Sequence, residues 1–217
     1  MPDKLKLYYS PGACSLASHM ALEEAGADYE PVRINFAEAE QRSPDYLKIN
    51  PKGRVPALAD GDWTLTENPA ILRYVARRFP DAKLWPDDPI EDARCAEWLA
   101  FISSTVHPSY AHIRRPDRYA TDEKAKEDVV ATGRRATRDI WEMVEKKLGQ
   151  GKGAWAAGDN FSVADSYLLV FWTWGRGPTL GYDMAKDFPK WTAHARRMAE
   201  RPAVRKVFER EGQQLPA

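Results

Sequence analysis

The N-terminal third of the chain combines two hydrophobic periods, one typical of strands and one typical of helices. Polar and apolar side chains alternate over residues 4–9, which predicts a half-buried strand, and apolar side chains then recur at helical spacing over residues 16–25. A second strand is expected at residues 29–35 and a hairpin at residues 55–65, with Asp60-Gly61-Asp62 as its turn. A further helix follows the hairpin. This order predicts a mixed four-stranded sheet with helices packed against it.

The rest of the chain carries helical patterns with almost no strand signal. Residues 90–106 and 122–148 read as long amphipathic helices, and Pro108 is expected to end or kink the first of them. Ser162-Val163-Ala164-Asp165 matches a capping-box pattern, with Asp in place of the usual Glu, directly before a long apolar run. We therefore expect this part of the chain to be all-helical.

A stretch rich in proline and aspartate separates the two kinds of pattern. Residues 81–89 show no hydrophobic periodicity, which is typical of a linker. We therefore expect an α+β domain over residues 1–81, a linker over residues 82–89 and an all-helical domain over residues 90–217.

Composition and charge narrow the range of functions. Hydrophobic residues make up 43% of the 217 residues and charged residues 29%, as in ordinary globular proteins. Lys+Arg and Asp+Glu both number 32, which gives no support for binding to nucleic acid or to an anionic membrane. No apolar run approaches the roughly 20 residues that span a bilayer. With only Cys14 and Cys95, a disulfide framework is not expected, and a reducing cytoplasm fits best.

Cys14 is the first candidate for chemistry. It follows the Pro11-Gly12 break after the first predicted strand, at or just inside the N-terminus of the first helix. There the free backbone amides and the positive end of the helix dipole favour thiolate over thiol, which indicates sulfur chemistry. The alternative is a small buried cysteine that only packs. This stretch alone leaves both interpretations open.

Two further passages are expected to lie near Cys14 along one edge of the sheet. Val55-Pro56 offers backbone groups at the start of a strand, where an extended peptide can pair. Glu67-Asn68, at the start of a helix, can hold the carboxylate and ammonium groups of an α-amino acid. Taken singly, each is better explained as a plain edge residue or a helix cap. Taken together, they describe a site for a small extended peptide with an anionic end and a sulfur near Cys14.

Three motifs resemble the cytosolic glutathione transferase family. They are Tyr8-Tyr9-Ser10-Pro11-Gly12-Ala13-Cys14-Ser15-Leu16, Asn50-Pro51-Lys52-Gly53-Arg54-Val55-Pro56-Ala57-Leu58 and Leu65-Thr66-Glu67-Asn68-Pro69-Ala70-Ile71. The Cys-Ser pair of the first motif points to the bacterial beta class, and the resemblance continues through Glu97-Trp98-Leu99, Val106-His107 and residues 161–165. It implies a thioredoxin-like N-terminal domain, an all-helical C-terminal domain, a homodimer and glutathione as co-substrate.

The resemblance also implies a set of glutathione contacts. The candidates are Lys52, Val55, Pro56, Glu67 and Asn68. The backbone of Val55 would pair with the cysteinyl unit beside a cis Pro56, while Glu67 and Asn68 would take the γ-glutamyl end. Lys52 or Arg54 would hold the glycyl carboxylate.

The same resemblance implies how the sulfur is activated. Cys14, Ser15 and His107 are the candidate donors that lower the pKa of the glutathione thiol and supply thiolate to an electrophile. A cysteine at this position also opens mixed-disulfide exchange with glutathione. The electrophile is expected between the domains, and no metal ion is expected. The apolar groups expected around the electrophile are Pro11, Val106, Tyr110 and Trp174.

Two other functions remain open. A non-catalytic ligand-binding or regulatory protein can use the same fold, because a fold does not fix a function. Such a protein would bind its ligand or partner without needing Cys14. A glutathione-dependent isomerase of a small diacid should carry an arginine beside the sulfur, and residues 16–19 supply none.

Overall fold

The computed structural model describes residues 4–151 and 153–217. Its sheet is formed by β1 (Leu5–Tyr9), β2 (Tyr29–Arg33), β3 (Ala57–Asp60) and β4 (Trp63–Thr66). The strand order is β2-β1-β3-β4, in which β1 and β2 run parallel and the other neighbouring pairs run antiparallel. The predicted mixed sheet is confirmed, and the β3–β4 hairpin turns at Gly61 and Asp62.

Three helices accompany the sheet. They are α1 (Leu16–Glu24), α2 (Pro44–Ile49) and α3 (Asn68–Arg78). α1 is buried over most of its length, because it packs against α3 on one side and against two helices of the C-terminal half on the other. Its apolar residues Leu16, Met20 and Leu22 are completely buried. The start of α1, directly after Cys14, is therefore held by both halves of the molecule.

The C-terminal half is built from helices, and its described residues contain no strand, as the sequence predicted. The helices are α4 (Pro89–Phe101), α5 (His107–Arg114), α6 (Glu123–Gln150), α7 (Val163–Arg176), α8 (Met184–Asp187), α9 (Pro189–Ala199) and α10 (Pro202–Arg210). The predicted capping box forms at the start of α7, where Asp165 accepts from the backbone N–H of Ser162 at 2.8 Å. One apolar core joins the sheet, α1 and α3 to the helices. Within the described ranges, no helix has the length and apolarity needed to cross a membrane.

The helix that the sequence predicts over residues 90–106 does not end before Pro108. α4 continues through a single π-helical segment, Ile102–Val106, into α5, and the His107 N–H donates to the carbonyl of Ile102. Proline lacks the N–H that an uninterrupted α-helix would use, and a wider π turn just before it accommodates this loss. Of the two expectations for Pro108, a helix end or a kink, the helix end is therefore wrong, because the chain stays helical across Pro108.

The predicted linker is packed rather than free. Leu84 is buried, and its carbonyl accepts the backbone N–H of Val163 at 3.0 Å. Trp85 donates its indole N–H to Asp92 at 2.5 Å, and the guanidinium of Arg73 lies over its ring. The segment thus contacts α3, α4 and α7 at once. The domain boundaries around it stay a prediction.

Candidate active site

The loop that carries Cys14 is clamped by residues from the C-terminal end of the chain. Gly12 has a φ of 69°, a left-handed conformation that favours glycine. Its N–H donates to a carboxylate oxygen of Glu211 at 2.9 Å, and its carbonyl accepts the indole N–H of Trp174 at 2.9 Å. Two residues far away in sequence therefore fix the backbone just before Cys14. Neither Glu211 nor this role of Trp174 carries a local signal in the sequence.

The surroundings of Cys14 favour the thiol over the thiolate, a choice that its place before a helix left open. Its side chain is half-buried, and the Sγ donates to the carbonyl of Val55 at 3.3 Å. Burial raises the pKa of Cys14 to about 12, which outweighs the lowering by its own backbone amide and that of Ser15. The loss of solvation is therefore a larger effect than the helix-end electrostatics, and the role of Cys14 in catalysis stays a prediction. Cys14 is suited to donate a hydrogen bond.

This raised pKa predicts slow alkylation of Cys14 at neutral pH. With a pKa near 12 only roughly one thiol in 100,000 is ionised at pH 7, and the reactive thiolate fraction grows about tenfold per pH unit. The second-order rate constant with iodoacetamide should therefore rise by about three orders of magnitude from pH 7 to pH 10. Mass spectrometry of the Cys14 peptide measures it, with Cys14→Ser as the blank. A rate constant that levels off below pH 9 would show that Cys14 ionises as an ordinary or activated cysteine.

Ser15 does not face the cavity beside Cys14. Its side chain is 0% exposed, and its hydroxyl donates to the carbonyl of Ser10 at 3.3 Å while accepting the N–H of Ser10 at 3.2 Å. Both hydrogen bonds close the loop from within. This geometry gives no support to a contact between this hydroxyl and a glutathione sulfur, which stays a prediction, because the start of α1 directs the side chain into the interior.

Asn68 also uses its side chain inside the protein. Its amide group donates to the carbonyl of Cys14 at 2.9 Å, and its amide oxygen accepts the hydroxyl of Ser18 at 2.6 Å. The side chain ties the start of α3 to the start of α1. The backbone amide of Asn68, at the first position of α3, has no acceptor within the helix and can serve a ligand.

Most of the remaining predicted glutathione contacts share one small cavity at the margin of the sheet, called here the edge cavity. It has a volume of about 160 Å³, and its lining includes Cys14, Lys52, Arg54, Val55, Pro56, Glu67 and His107. The Val55–Pro56 peptide bond is cis, as predicted. Lys52 Nζ lies 2.5 Å from Glu67 Oε1 and also donates to Thr66 at 2.6 Å. Lys52 therefore belongs to the Glu67 end of the cavity, which leaves Arg54 for the opposite end.

Glu67 occupies a strained backbone position. It is the residue before α3 and has a φ of 74°, a backbone angle that residues other than glycine rarely adopt. Strain of this kind is expected to cost about 1–3 kcal/mol. Its carboxylate is exposed apart from the contact with Lys52. The strain places that carboxylate beside the free amides at the start of α3.

His107 lies at the start of α5 and reaches the cavity from the helical half. Its ring packs against Phe171 and Trp174, with ring centroids 5.5 Å and 5.3 Å away. Burial lowers the pKa of His107 to about 4, and the positive charges of Arg54 and Arg118 lower it further in the same direction. The imidazole is therefore neutral at pH 7, with one ring N–H that can donate.

A second and larger cavity, called here the cleft cavity, opens beside the same Cys14 and His107. It has a volume of about 510 Å³, and Pro11, Tyr110 and Trp174 line it as predicted. The rings of Tyr110 and Trp174 are 4.5 Å apart and form one wall. Val106 does not line this cavity, because it is 1% exposed and packs in the core behind it.

The cleft cavity is far more basic than the apolar site that we expected. Its lining includes Arg42, Arg54, Arg114, Arg115 and Arg118, named here the arginine cluster. Asp117 is the single carboxylate among the lining residues. The sequence shows a local run of arginines after His107, but nothing in the run indicates that it faces Cys14.

Known proteins resemble this chain over almost its whole length. Residues 3–77 match the family model for the glutathione S-transferase N-terminal domain, and residues 99–202 match that for the C-terminal domain. Glutathione S-transferase GstA of Escherichia coli O157:H7 is 36% identical over 216 residues, which cover 96% of this chain and 99% of that protein.

Solved structures agree. A Sulfitobacter glutathione transferase homologue with bound glutathione has a TM-score of 0.90 and 40% identity, covering 97% of this chain and 99% of that one. A beta class glutathione S-transferase of Sphingomonas chungbukensis has a TM-score of 0.80 and 38% identity, covering 96% and 100%. The resemblance seen in the sequence motifs, including that to the bacterial beta class, is confirmed. The chain belongs to the glutathione S-transferase family.

Proposed function

We propose that this protein is a glutathione transferase, which binds glutathione in the edge cavity and promotes attack of its sulfur on an electrophile in the cleft cavity. The observation that carries the proposal is that both cavities meet at Cys14 and His107. A sulfur held there is within reach of a thiol donor and opens onto the cavity where a second substrate fits. The family membership and the glutathione bound in the Sulfitobacter homologue support this assignment.

The charges of the edge cavity give glutathione one orientation. The γ-glutamyl ammonium pairs with Glu67, and the neighbouring carboxylate takes the backbone amide of Asn68 at the start of α3. The extended cysteinyl unit pairs with the backbone of Val55, which brings its sulfur to Cys14. Lys52 is tied to Glu67, so the glycyl carboxylate goes to Arg54.

Activation of the sulfur then follows from the groups around it. A free thiol with a pKa of about 8.5 is mostly protonated at neutral pH. The Cys14 S–H donates to the glutathione thiolate, and the positive field of Arg54 and Arg118 stabilises the same negative charge. Neutral His107 supplies a further N–H. The thiolate forms a carbon–sulfur bond with the electrophile, the leaving group departs with its bonding electrons, and the thiol proton passes to solvent.

A conservative pair of substitutions tests the role of Cys14. A hydrogen bond to a charged group contributes about 1.5–3 kcal/mol, so Cys14→Ala should raise the pKa of the bound glutathione thiol by about 1–2 units. Thiolate absorbance in the binary complex, followed against pH, measures it. Cys14→Ser keeps a donor and should stay within about half a unit of the wild type. Equal pKa values in all three proteins would remove Cys14 from the mechanism.

Binding and turnover separate this function from the alternative of a non-catalytic ligand-binding or regulatory protein. Calorimetry should detect saturable glutathione binding, and 1-chloro-2,4-dinitrobenzene should be conjugated faster than in buffer. Binding of glutathione without turnover of electrophile, peroxide or disulfide panels would favour the non-catalytic protein. If neither glutathione binding nor turnover of an electrophile is detected, the proposal is refuted.

The assembly and location implied by the resemblance stay predictions. We propose a homodimer in the cytoplasm. Trp63 on the edge strand β4 is 42% exposed and makes an edge-to-face contact with Tyr74, which leaves an aromatic surface for a second copy to cover. Light scattering coupled to size exclusion should give twice the mass of the chain, and Trp63→Arg should shift it toward the single chain.

A further inference from the structure

The strongest feature that the transfer reaction leaves unexplained is the arginine cluster. Five guanidinium groups line the cleft cavity, but a hydrophobic electrophile offers them nothing to bind. Arg114 ends α5, Arg115 follows it directly and Arg118 lies in the next turn, while Arg42 and Arg54 come from the N-terminal half of the chain. Both halves of the molecule therefore contribute positive charge to the cavity that should receive the second substrate.

These arginines are not neutralised by the protein. Among the described residues, none of the five makes an ion pair, a side-chain hydrogen bond or a cation–π contact, whereas Arg138, Arg201 and Arg210 each pair with a carboxylate. The pKa of Arg118 is lowered by burial and by the neighbouring charges of Arg54 and Arg115. Mutual repulsion of this kind opposes folding. A cluster of uncompensated arginines beside the position proposed for the glutathione sulfur therefore indicates a ligand that supplies the missing negative charge.

Glutathione supplies only part of that charge. In the orientation proposed above, its γ-glutamyl carboxylate lies at the start of α3 and its glycyl carboxylate meets Arg54. Of the arginine cluster, Arg54 and Arg118 also line the edge cavity that holds glutathione. Arg42, Arg114 and Arg115 do not line the edge cavity, so even with Asp117 as a partner at least two guanidinium groups of the cleft cavity are left without an anion. Arg114, the last residue of the helix that carries the aromatic wall residue Tyr110, and Arg115, which follows it directly, are two members of the cluster close to that wall in sequence.

We propose that the electrophile conjugated by this protein carries a carboxylate, which Arg114 and Arg115 bind while its unsaturated or aromatic part rests on Tyr110 and Trp174. The inference rests on the proposed function and names the substrate class of that site. For an aryl halide the thiolate forms the carbon–sulfur bond, the carbon–chlorine bond breaks with its electron pair to give chloride, and the thiol proton goes to solvent. The carboxylate of the electrophile takes no part in bond making and serves only to bind Arg114 and Arg115.

A matched pair of electrophiles tests the proposal. 4-Chloro-3-nitrobenzoate and its methyl ester share the leaving group and the activating nitro group and differ in the carboxylate charge. With each kcat/KM divided by the uncatalysed rate constant, the acid should exceed the ester by about tenfold or more in the wild type, the effect of one charge-assisted contact. In Arg114→Gln/Arg115→Gln this ratio should fall to near one. Arg94→Gln, on the exposed face of α4, should leave it unchanged.

Binding of the conjugates gives the same comparison without turnover. Calorimetry should show S-(4-carboxy-2-nitrophenyl)glutathione binding at least about tenfold more tightly than its methyl ester, and the preference should disappear in Arg114→Gln/Arg115→Gln. The inference is overturned if the ester and the acid give equal normalised kcat/KM values and affinities, or if the acid-to-ester ratio is unchanged in Arg114→Gln/Arg115→Gln. Either result leaves the transferase function standing. Failure of glutathione itself and of both conjugates to bind overturns the proposed function, and the inference with it.

Discussion

Replacement of Asp165 by alanine should lower the free energy of unfolding by about 3–5 kcal/mol, because it leaves several buried hydrogen-bonding groups without a partner at a cost of about 1–3 kcal/mol each. Asp165 is 0% exposed. One carboxylate oxygen accepts the N–H of Ala156 at 2.8 Å and lies 2.7 Å from Nε2 of His194, and the other accepts the N–H of Ser162 at 2.8 Å. The substitution would leave these groups buried without partners, so the loss exceeds that of an ordinary helix cap.

A second cap in the same protein provides the matched control. Asp122 caps α6 through a single contact to the N–H of Ala125 at 3.0 Å, and it is exposed. Asp122→Ala should cost about 1 kcal/mol. Urea unfolding followed by circular dichroism compares the two variants at one protein concentration. Similar losses for both would mean that the contacts of Asp165 to Ala156 and His194 add nothing to its cap.

Replacement of Glu67 by glutamine should weaken glutathione binding by about 10- to 100-fold. The substitution keeps the shape of the side chain but removes the charge that pairs with the γ-glutamyl ammonium, and a hydrogen bond to a charged group contributes about 1.5–3 kcal/mol. Because this contact is the same in the ground state and the transition state, kcat at saturating glutathione should change little. Calorimetry and initial rates measure both quantities.

Two further variants separate binding from structure at this position. Glu67→Gly accepts the φ of 74° without strain, so it should keep or raise the unfolding midpoint while losing glutathione affinity like Glu67→Gln. Glu97 is an exposed glutamate paired with a lysine, Lys147, at 2.7 Å, as Glu67 is with Lys52. Glu97→Gln should leave glutathione binding unchanged. Unaltered affinity in both Glu67 variants would place the γ-glutamyl end elsewhere.

Much of the fold could be predicted because its elements are set by short-range patterns. The alternating pattern of β1, the Asp60-Gly61-Asp62 turn and the Ser162 capping box each depend on residues a few positions apart. Pro108 shows the limit of such reasoning. The sequence left open whether Pro108 ends the helix or kinks it, and the structure shows a π segment that accommodates the missing hydrogen bond, so that the chain continues into α5.

The features of the site that depend on backbone geometry could be predicted from the sequence. The features that depend on burial, such as pKa values and side-chain directions, could be predicted less well. The cis Val55–Pro56 bond and the gathering of Cys14, Glu67 and His107 around joined cavities agree with the sequence motifs. The sequence left the protonation state of Cys14 open, because a pKa depends on how much solvent the fold removes. It also gave no sign that the Ser15 side chain is buried, because the direction of that side chain follows from the packing of α1.

The sequence by itself determined the order of strands and helices and the motifs that identify the family, because these depend on neighbours along the chain. Only the tertiary structure decided which groups meet. Glu211 reaches Gly12 across 199 positions, and the arginine cluster draws on three separate segments of the chain. The charge of a cavity is the sum over all the segments that face it, and no segment carries that sum in its own sequence.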